Sequence, residues 1–420
     1  MLPQIAVAAL VGLTAAAPTE NLVERDGSYA SYGSYSGAGT GQSSYGKYAS
    51  YGSYNGAGAS SSGSSQLPIG IGAPAYSAGS FSGPASGSKA QPFKFPLTNG
   101  FPNVAMGSQQ LTDIEKQAKG TLPNGPLPSK MSDATAANFQ VIAFNELWET
   151  AFFTSLLQNI TDGTYDVGSG AGKQIIVNAI TAIQAQEQLH ALGANAILQA
   201  AGRTTVQPCQ YKFPTTDFDS AIALAKTFTD VVVGTLGGAQ GVFASAGDDA
   251  YIPLIGSVIG QESEQIGYFR VVGGLNPSAL PFLTGSSGVF AFSYLNQNII
   301  VPGSCGNLNA IPVPILPALT VETAMIKPAD QAITFSYTGS APTSDMRLVY
   351  INQQNTPIVV PISNAQTSGG KTTFQANFPY SANLLNSLTI AAVTKSAGPF
   401  SSISAVADAA MYGPGLIEVM

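Results

Sequence analysis

The chain has 420 residues, of which 45% are hydrophobic and 9% are charged, and its formal net charge is −7. This hydrophobic content is ample for a buried core, so the chain is not wholly disordered. With 16 lysines and arginines and no basic cluster, the chain lacks the positive surface that nucleic-acid binding requires. The low charge and the abundance of Gly, Ser, Ala and Pro are typical of a secreted or wall-associated protein.

The first residues resemble a secretory signal. An apolar run from Ile5 to Leu13 is followed by Ala15, Ala16 and Ala17, which predicts a signal peptide over residues 1–17, although the usual basic start is missing. No segment reaches about 18 uninterrupted apolar residues, so we expect no membrane span. We therefore predict that the protein is secreted, extracellular or in the cell wall.

Residues 18–128 are predicted to be a disordered Gly/Ser/Tyr-rich repeat and linker. The stretch from Tyr29 to Gly39 recurs almost unchanged from Tyr48 to Gly58. Such a tract cannot bury enough apolar surface to offset its chain entropy. Its tyrosines could stack on sugars or be cross-linked in a wall, but a linker is the simpler interpretation. The later part has frequent Pro and Gly and one short helical candidate at 111–119.

Four helical stretches follow, with recognisable starts and stops. Ser132 and Asp217 are candidate N-caps, Pro253 suits a first turn, and Gly202 and Gly247 are candidate stops. The predicted helices span residues 133–158, 172–201, 217–246 and 251–272. This succession predicts a four-helix bundle, within a domain that we place at residues 129–310 together with its following loop. The glycines at 234–241 lie inside the third helix, where they predict close helix approach.

Beyond the bundle the hydrophobic pattern changes to a period of two. The four clearest segments, at 332–337, 346–351, 372–377 and 388–393, are separated by clusters of Gly, Ser, Pro and Asn. They predict a small antiparallel β-sandwich in a domain at residues 311–420. Neither a nucleophile–base pair nor a metal-ligand spacing is found there.

Two covalent features are predicted outside these patterns. Cys209 and Cys305 are the only cysteines, and in an oxidising compartment such a pair is more often bridged than catalytic. Two unrelated free thiols remain the alternative. The sequon that begins at Asn159 predicts N-glycosylation at the end of the first helix.

Polar residues interrupt the apolar faces of three of the four helices. On the second helix, Glu187 and His190 are three residues apart on the predicted inner face, and His190 is the only histidine of the chain. The first helix offers Glu146 and Glu149, of which at least one should point inward, and the fourth offers Glu262. Burying these groups is unfavourable unless they are paired or bound to metal. Carboxylates and a histidine on facing helices indicate a di-iron type of layout.

These segments resemble a known family. Glu146-x-x-Glu149, Glu187-x-x-His190, and Glu262-x-x-Gln265 followed by Arg270 are similar to the ferritin-like domain of secreted fungal proteins of the late-sexual-development and stress-response group. Plant desiccation-related proteins resemble the same domain. The resemblance covers about a third of the chain. It implies a mainly α, ferritin-like four-helix bundle with iron or manganese as the candidate cofactor. The candidate metal-site residues are Glu146, Glu149, Glu187, His190, Glu262 and Gln265.

Two departures from the family pattern bear on function. Where the resemblance implies a histidine on the fourth helix, the chain has Gln265, a poor metal ligand. Where it implies a glutamate on the third helix, Gly237, Gly238 or Gln240 stands instead. The remaining Glu146, Glu187, His190 and Glu262 could hold one ion but would leave a second ion poorly balanced in charge.

Three functions are left open by the sequence. The first is a structural protein of development or stress, in which the bundle is a scaffold with a degenerate metal site. The second is a redox protein that binds iron or manganese. The third is a wall-binding protein whose repeat or β-domain contacts polysaccharide. Catalysis by a Ser-His-Asp or Cys-His set would need His190 elsewhere, so an enzyme of those classes is disfavoured. The sequence does not indicate the oligomeric state.

Overall fold

The computed structural model describes residues 91–420. The predicted signal peptide and the tyrosine repeat lie outside these residues. Eight α-helices are formed within the described part. They are α1 Gln109–Ala118, α2 Asp133–Thr161, α3 Gly170–Ala200, α4 Phe218–Ala246, α5 Ile252–Val272, α6 Gly288–Asn298, α7 Tyr380–Asn383 and α8 Ile403–Ala409.

The predicted caps explain where the bundle helices begin and end. The Ser132 hydroxyl accepts a hydrogen bond from the amide of Thr135, which stabilises the start of α2. Asp217 and Ser220 form a reciprocal capping box before α4, and Gly247 ends α4 with φ +74°. Pro253 lies in the first turn of α5. Helices α2 to α5 therefore match the four predicted helices to within a few residues.

One helix of the bundle region is not predicted by the sequence analysis. Residues 288–298, which the sequence pattern assigns to the loop after the bundle, form α6. Phe292 of α6 packs against Phe144 of α2 with ring centroids 4.9 Å apart, and Tyr294 packs against Phe228 of α4 at 5.7 Å. A fifth helix thus covers one side of the four-helix core.

The chain before the bundle also packs on it. Phe93 pairs with Tyr211 in an isolated β-bridge, and the side-chain amide of Asn99 donates a hydrogen bond to Gln188 of α3 at 2.8 Å. Helix α1 buries Leu111 and Ile114 against α3. Residues 91–128, for which the composition predicts a linker, are therefore an ordered lead-in, because these aromatic and aliphatic side chains find an apolar surface to cover.

The C-terminal part is the predicted antiparallel sandwich. Its eight strands are β1 Thr320–Val321, β2 Gln331–Thr338, β3 Arg347–Asn352, β4 Ile358–Pro361, β5 Ser363–Ser368, β6 Lys371–Phe378, β7 Ser387–Thr394 and β8 Ala410–Val419. One sheet has the order β1-β2-β6-β5, and the other has the order β4-β3-β7-β8. Every strand pair is antiparallel.

The second sheet is buried on both of its faces. On one face, Leu348, Tyr350 and Val393 join the core between the two sheets. On the other face, Val349 and Ile390 join the large core that runs through the helices. All eight residues of β7 are buried as a result. The bundle and the sandwich therefore share one sheet as a common wall.

The two cysteines are joined, as predicted. Cys209 and Cys305 form a disulfide across 96 positions of sequence, which encloses α4, α5 and α6. In the chain-entropy model, a loop of this length is worth about 4–5 kcal/mol of stability.

Helix α4 is long and apolar enough to cross a membrane, and it is the one such helix within residues 91–420. Most of its apolar stretch is buried inside the protein, so that its hydrophobic side chains contribute to the core. Asn159, the predicted glycosylation residue, lies in the last turn of α2 and is partly exposed.

Candidate metal centre

Three helices bring an acidic cluster together at the centre of the bundle. Glu146 on α2, Glu187 and His190 on α3, and Glu262 on α5 each offer one ligand atom, and these four atoms lie within 4.8 Å of one another. All three glutamates are buried, and the His190 side chain is 17% exposed. The structure thus gathers four of the six residues that the sequence analysis names as candidate ligands.

His190 is the centre of this arrangement. Its Nδ1 atom lies 3.0 Å from Glu187, 3.3 Å from Glu146 and 3.4 Å from Glu262. Burial alone lowers the pKa of the imidazole, but the carboxylates of Glu146 and Glu187 outweigh burial and hold that pKa well above its ordinary value. One imidazole therefore faces three carboxylates.

Glu149 adds a fourth carboxylate. It lies three residues after Glu146 on α2 and is fully buried, so both glutamates of this helix point inward. Within residues 91–420, neither of its oxygens has a hydrogen-bond partner. Burial raises the pKa of Glu149 well above its ordinary value, and the charges of Glu262, Glu187 and Glu146 raise it further. Glu149 is therefore electrostatically part of the same centre.

The carboxyl groups of Glu146 and Glu262 face His190, whose influence lowers their pKa values but does not outweigh the effect of burial. Their oxygens have no hydrogen-bond partner within the described residues. Burial raises the pKa of Glu146 to about 7, and it raises the pKa of Glu262 well above its ordinary value. No lysine or arginine of residues 91–420 forms an ion pair with any carboxylate of the centre. When ionised, these carboxyl groups would carry more negative charge than the described residues neutralise.

Gln265 stands where the family resemblance implies a histidine. It is buried one turn after Glu262 on α5, and its side-chain amide donates a hydrogen bond to Glu187 Oε1. Glu187 accepts at its other oxygen from His190. Gln265 therefore orients a carboxylate of the centre through its nitrogen, as a supporting group does around a metal site.

Helix α4 contributes no acid to the centre. The amide of Gln240 donates to the carbonyl of Ile252 at 3.0 Å, which directs it to the start of α5. Gly234 and Gly238 are sites of close approach, but their neighbour is the loop at residues 284–286 and not a helix, because an added Cβ would lie 2.4 Å and 2.8 Å from its backbone. The structure thus confirms that this helix lacks the glutamate of the family pattern. The predicted helix–helix contact at these glycines is wrong.

The buried acid of α4 belongs to a different group. Asp230 interacts with Lys226 on the same helix, with Arg270 on α5 and with Glu418 on β8, and all four side chains are buried. Lys226 Nζ lies 2.7 Å from Glu418 Oε2. Burial raises the pKa of Asp230 to about 7; the charge of Glu418 raises it too, while Lys226 and Arg270 lower it. We call these four residues the interdomain ion cluster. No local sequence pattern predicts it, because Lys226 and Glu418 are 192 positions apart.

Comparison with known proteins agrees with this architecture. Residues 132–274 match the family model of the ferritin-like domain. No curated protein matches the chain. The matched range begins at the N-cap of α2 and ends just after α5, so it contains the four helices that surround the acidic cluster. Residues 132–274 therefore form a ferritin-like domain with a group of Glu and His residues that could hold a metal ion, and antiparallel sheets follow it.

Proposed function

We propose that this protein is a secreted ferritin-like protein whose bundle binds iron or manganese through Glu146, Glu149, Glu187, His190 and Glu262. One observation carries the proposal. Three buried carboxylates surround a single imidazole, a fourth buried carboxyl group, that of Glu149, interacts with them electrostatically, and most of their oxygens have no partner within the described residues. Such a set is expected around a cation.

Electrostatics favours a bound cation over an empty cluster. Two like charges 4 Å apart repel by about 4 kcal/mol at the effective dielectric that applies near a protein surface, and by more when they are deeper. Four carboxylates oppose one imidazole, so even a protonated His190 leaves the ionised centre negative. A divalent cation would offset this charge and would occupy the unpaired oxygens.

The types of donor atom in the cluster favour iron or manganese as the bound metal. Carboxylate oxygens with one imidazole nitrogen suit iron and manganese, and the carboxylate-bridged centres of ferritin-like bundles have this composition. When bound, such an ion would supply redox chemistry with O₂ or peroxide at an open coordination position. The protein's own residues hold the donors in place, with Gln265 fixing Glu187 and the helices excluding water from Glu149.

A second candidate is a scaffold without metal, and it is favoured by the missing carboxylate on α4. In that case Glu187, Gln265 and His190 form a hydrogen-bonded polar core, and several carboxyl groups stay protonated. The protein would then act in development or stress as a structural component, as the resemblance to secreted fungal proteins implies.

Secretion is part of the proposal in both cases. The apolar N-terminal run supports it, and so does the Cys209–Cys305 disulfide, since such bonds persist in oxidising compartments.

Metal content separates the two candidates. Full-length protein would be incubated with Fe(II) or with Mn(II), passed through gel filtration and analysed by elemental mass spectrometry. Glu187→Ala, Glu262→Ala and His190→Ala remove donors. Glu264→Ala is the matched control, because Glu264 lies on the same helix two residues after Glu262 and is exposed.

We expect wild type and Glu264→Ala to retain metal and the three donor variants to lose it. Metal should also raise the melting temperature of wild type, because a ligand present at 100 times its Kd stabilises the folded state by about 2.7 kcal/mol. Absence of metal from wild type under both conditions would exclude the metal-binding proposal. Equal retention by all variants would place the ion elsewhere.

A further inference from the structure

A second concave site lies between the bundle and the sandwich. It is a groove of about 680 Å³. Helices α4 and α5, the loop at 281–286, the β3–β4 loop and the start of α8 form its walls. This volume is within the range of about 300–1,000 Å³ that is usual for small-molecule sites.

The groove has no charge. None of its lining residues is acidic, basic or a histidine, whereas the neighbouring bundle buries several ionisable groups. Phosphates and carboxylates are normally recognised by Arg, Lys or the N-terminus of a helix. The groove has neither Arg nor Lys, and the one helix that starts in its wall, α8, has only seven residues and is capped by the Ser402 hydroxyl, so the lining does not suit an anionic ligand. It does not suit a cation either, because carboxylates are missing from it.

The polar side chains of the groove are amides and hydroxyls. The exposed ones come from two loops that approach each other, and they are Gln354, Asn355, Thr356, Ser401, Ser402 and Ser404. Amides offer both donors and acceptors, and each hydroxyl can do either. The Gln354 amide nitrogen is already bonded to the carbonyl of Leu283, and the Ser402 hydroxyl caps α8. The other groups are available to a ligand that carries many hydroxyls.

An aromatic ring completes one side of the groove. Phe282 is 64% exposed, although large aromatic side chains are usually buried where the fold allows it. It follows Pro281 in a loop held across α4 by the glycine contacts already described. A flat, exposed ring beside neutral polar groups provides an apolar surface for the C–H face of a sugar.

The α4 side of the groove, which we call its floor, includes Gly237, an exposed residue. This glycine lies in the middle of α4, where glycine costs roughly 0.5–1 kcal/mol relative to alanine. Its φ is not positive, and an added Cβ would meet no atom within 4 Å. Neither backbone strain nor close packing therefore requires glycine here, in contrast to Gly234 and Gly238. An empty floor under a bound ligand is a physical reason for it.

We propose that this groove binds a neutral oligosaccharide, with Phe282 stacking on a sugar ring and Asn355, Thr356 and Ser401 hydrogen-bonding to its hydroxyls. The absence of charge and the paired amide and hydroxyl loops support this class of ligand, and the open glycine floor leaves room for it. The site is independent of the metal centre, and it would attach the protein to a neutral polysaccharide such as that of a cell wall.

The test uses full-length protein and soluble neutral hexasaccharides of the β-1,3-glucan, β-1,4-glucan, chitin and mannan types. Binding would be measured by isothermal titration calorimetry and by saturation-transfer NMR. Gly237→Met fills the floor of the groove. The matched control is Gly241→Met, because Gly241 lies one turn later on α4, is exposed, meets nothing within 4 Å and does not line the groove. Phe282→Ala removes the ring.

We expect wild type and Gly241→Met to bind at least one hexasaccharide with equal affinity. Gly237→Met and Phe282→Ala should weaken that binding by about tenfold or more, without lowering the melting temperature. Three results would overturn the proposal: no binding of any hexasaccharide by wild type, unchanged binding by Gly237→Met, or binding in the groove of an apolar probe such as decanol instead of the sugars.

Discussion

The bundle and the sandwich differ in the kind of side chain that they bury. The core between the two sheets is built from aliphatic and aromatic side chains, among them Ile333, Phe335 and Phe374, and contains no buried acid. The bundle buries Glu146, Glu149, Glu187 and Glu262 together. Burial of apolar groups stabilises a fold directly, whereas burial of unpaired carboxylates opposes it. The difference fits the proposed metal centre, because a bound cation would offset the cost of the bundle's buried carboxylates, whereas the core between the sheets has no such cost.

Among the variants considered, a substitution in the interdomain ion cluster should change the free energy of unfolding most. Lys226→Met leaves Glu418 buried without its partner, so we expect a loss of about 3–5 kcal/mol in the free energy of unfolding. The double variant Lys226→Met/Glu418→Leu should recover most of the loss, because a buried ion pair and an apolar pair of similar volume are often equally stable. Urea unfolding of both variants is the measurement. A double variant as unstable as the single one would contradict this explanation.

Glu149 offers the most direct way to separate function from stability. In metal-free protein, Glu149→Gln removes an uncompensated carboxyl group, and we expect the free energy of unfolding to rise by about 1–3 kcal/mol. With iron or manganese present the sign should reverse, because the variant lacks a donor. Thermal unfolding with and without metal measures both effects, and Glu264→Gln on the surface of α5 is the control. If Glu149→Gln destabilised the metal-free protein, the carboxyl group would have a structural role instead.

The pH dependence of stability should differ between wild type and Asp230→Asn. Burial raises the pKa of Asp230 in the folded protein to about 7, above its value of about 4 in the unfolded chain. The folded state therefore binds more protons between about pH 4 and 7, and stability falls as the pH rises through this range. Asp230→Asn should remove that part of the decline, on the order of 1–3 kcal/mol.

Urea unfolding at several pH values from about 4 to 8 would measure this slope. Asp345→Asn, in an exposed loop of the sandwich, serves as the control and should leave the slope unchanged. Equal slopes for wild type and Asp230→Asn would contradict the raised pKa.

The smallest expected effect concerns the sandwich alone. Ile333→Val removes one methylene from a fully buried position, and we expect a loss of about 0.5–1.5 kcal/mol with or without metal. The same unfolding experiment measures it. If the loss of stability caused by Ile333→Val depended on metal, the sandwich core would be energetically coupled to the bundle centre. That result would contradict the separate roles assigned to the two regions.

Much of the fold follows from local signals in the sequence. Ser132, Asp217 and Gly247 place the helix ends, and the period of two places β2, β3, β6 and β7. Local signals do not predict helix α6, because its apolar run at residues 289–292 is too short for periodicity to distinguish a helix from a strand. Nor does the sequence alone indicate that the sheet containing β7 is covered on both faces, since this depends on packing against distant helices.

The candidate site is predictable in its residue types but only partly in its arrangement. Helical spacing places Glu187, His190 and Glu262 on inner faces, and the structure brings them together. The burial of Glu149 beside Glu146 does not follow from the sequence of α2, where nearly every central position is buried and no exposed face distinguishes the two. The interdomain ion cluster and the groove combine residues that are far apart in the chain, so no sequence motif predicts them.

The contact between Lys226 and Glu418 also links the packing of α4 to the placement of the last strand. A chain that has formed α4 but not yet β8 carries a lysine on an apolar helix surface with its strongest partner still missing. We therefore expect the helical core to reach its final state together with the addition of the last strand to the sheet. Since such distant pairs form slowly, partly folded chains would expose the apolar surface of α4 for a time, and assembly of the helices and closure of the sandwich would end in a single late step.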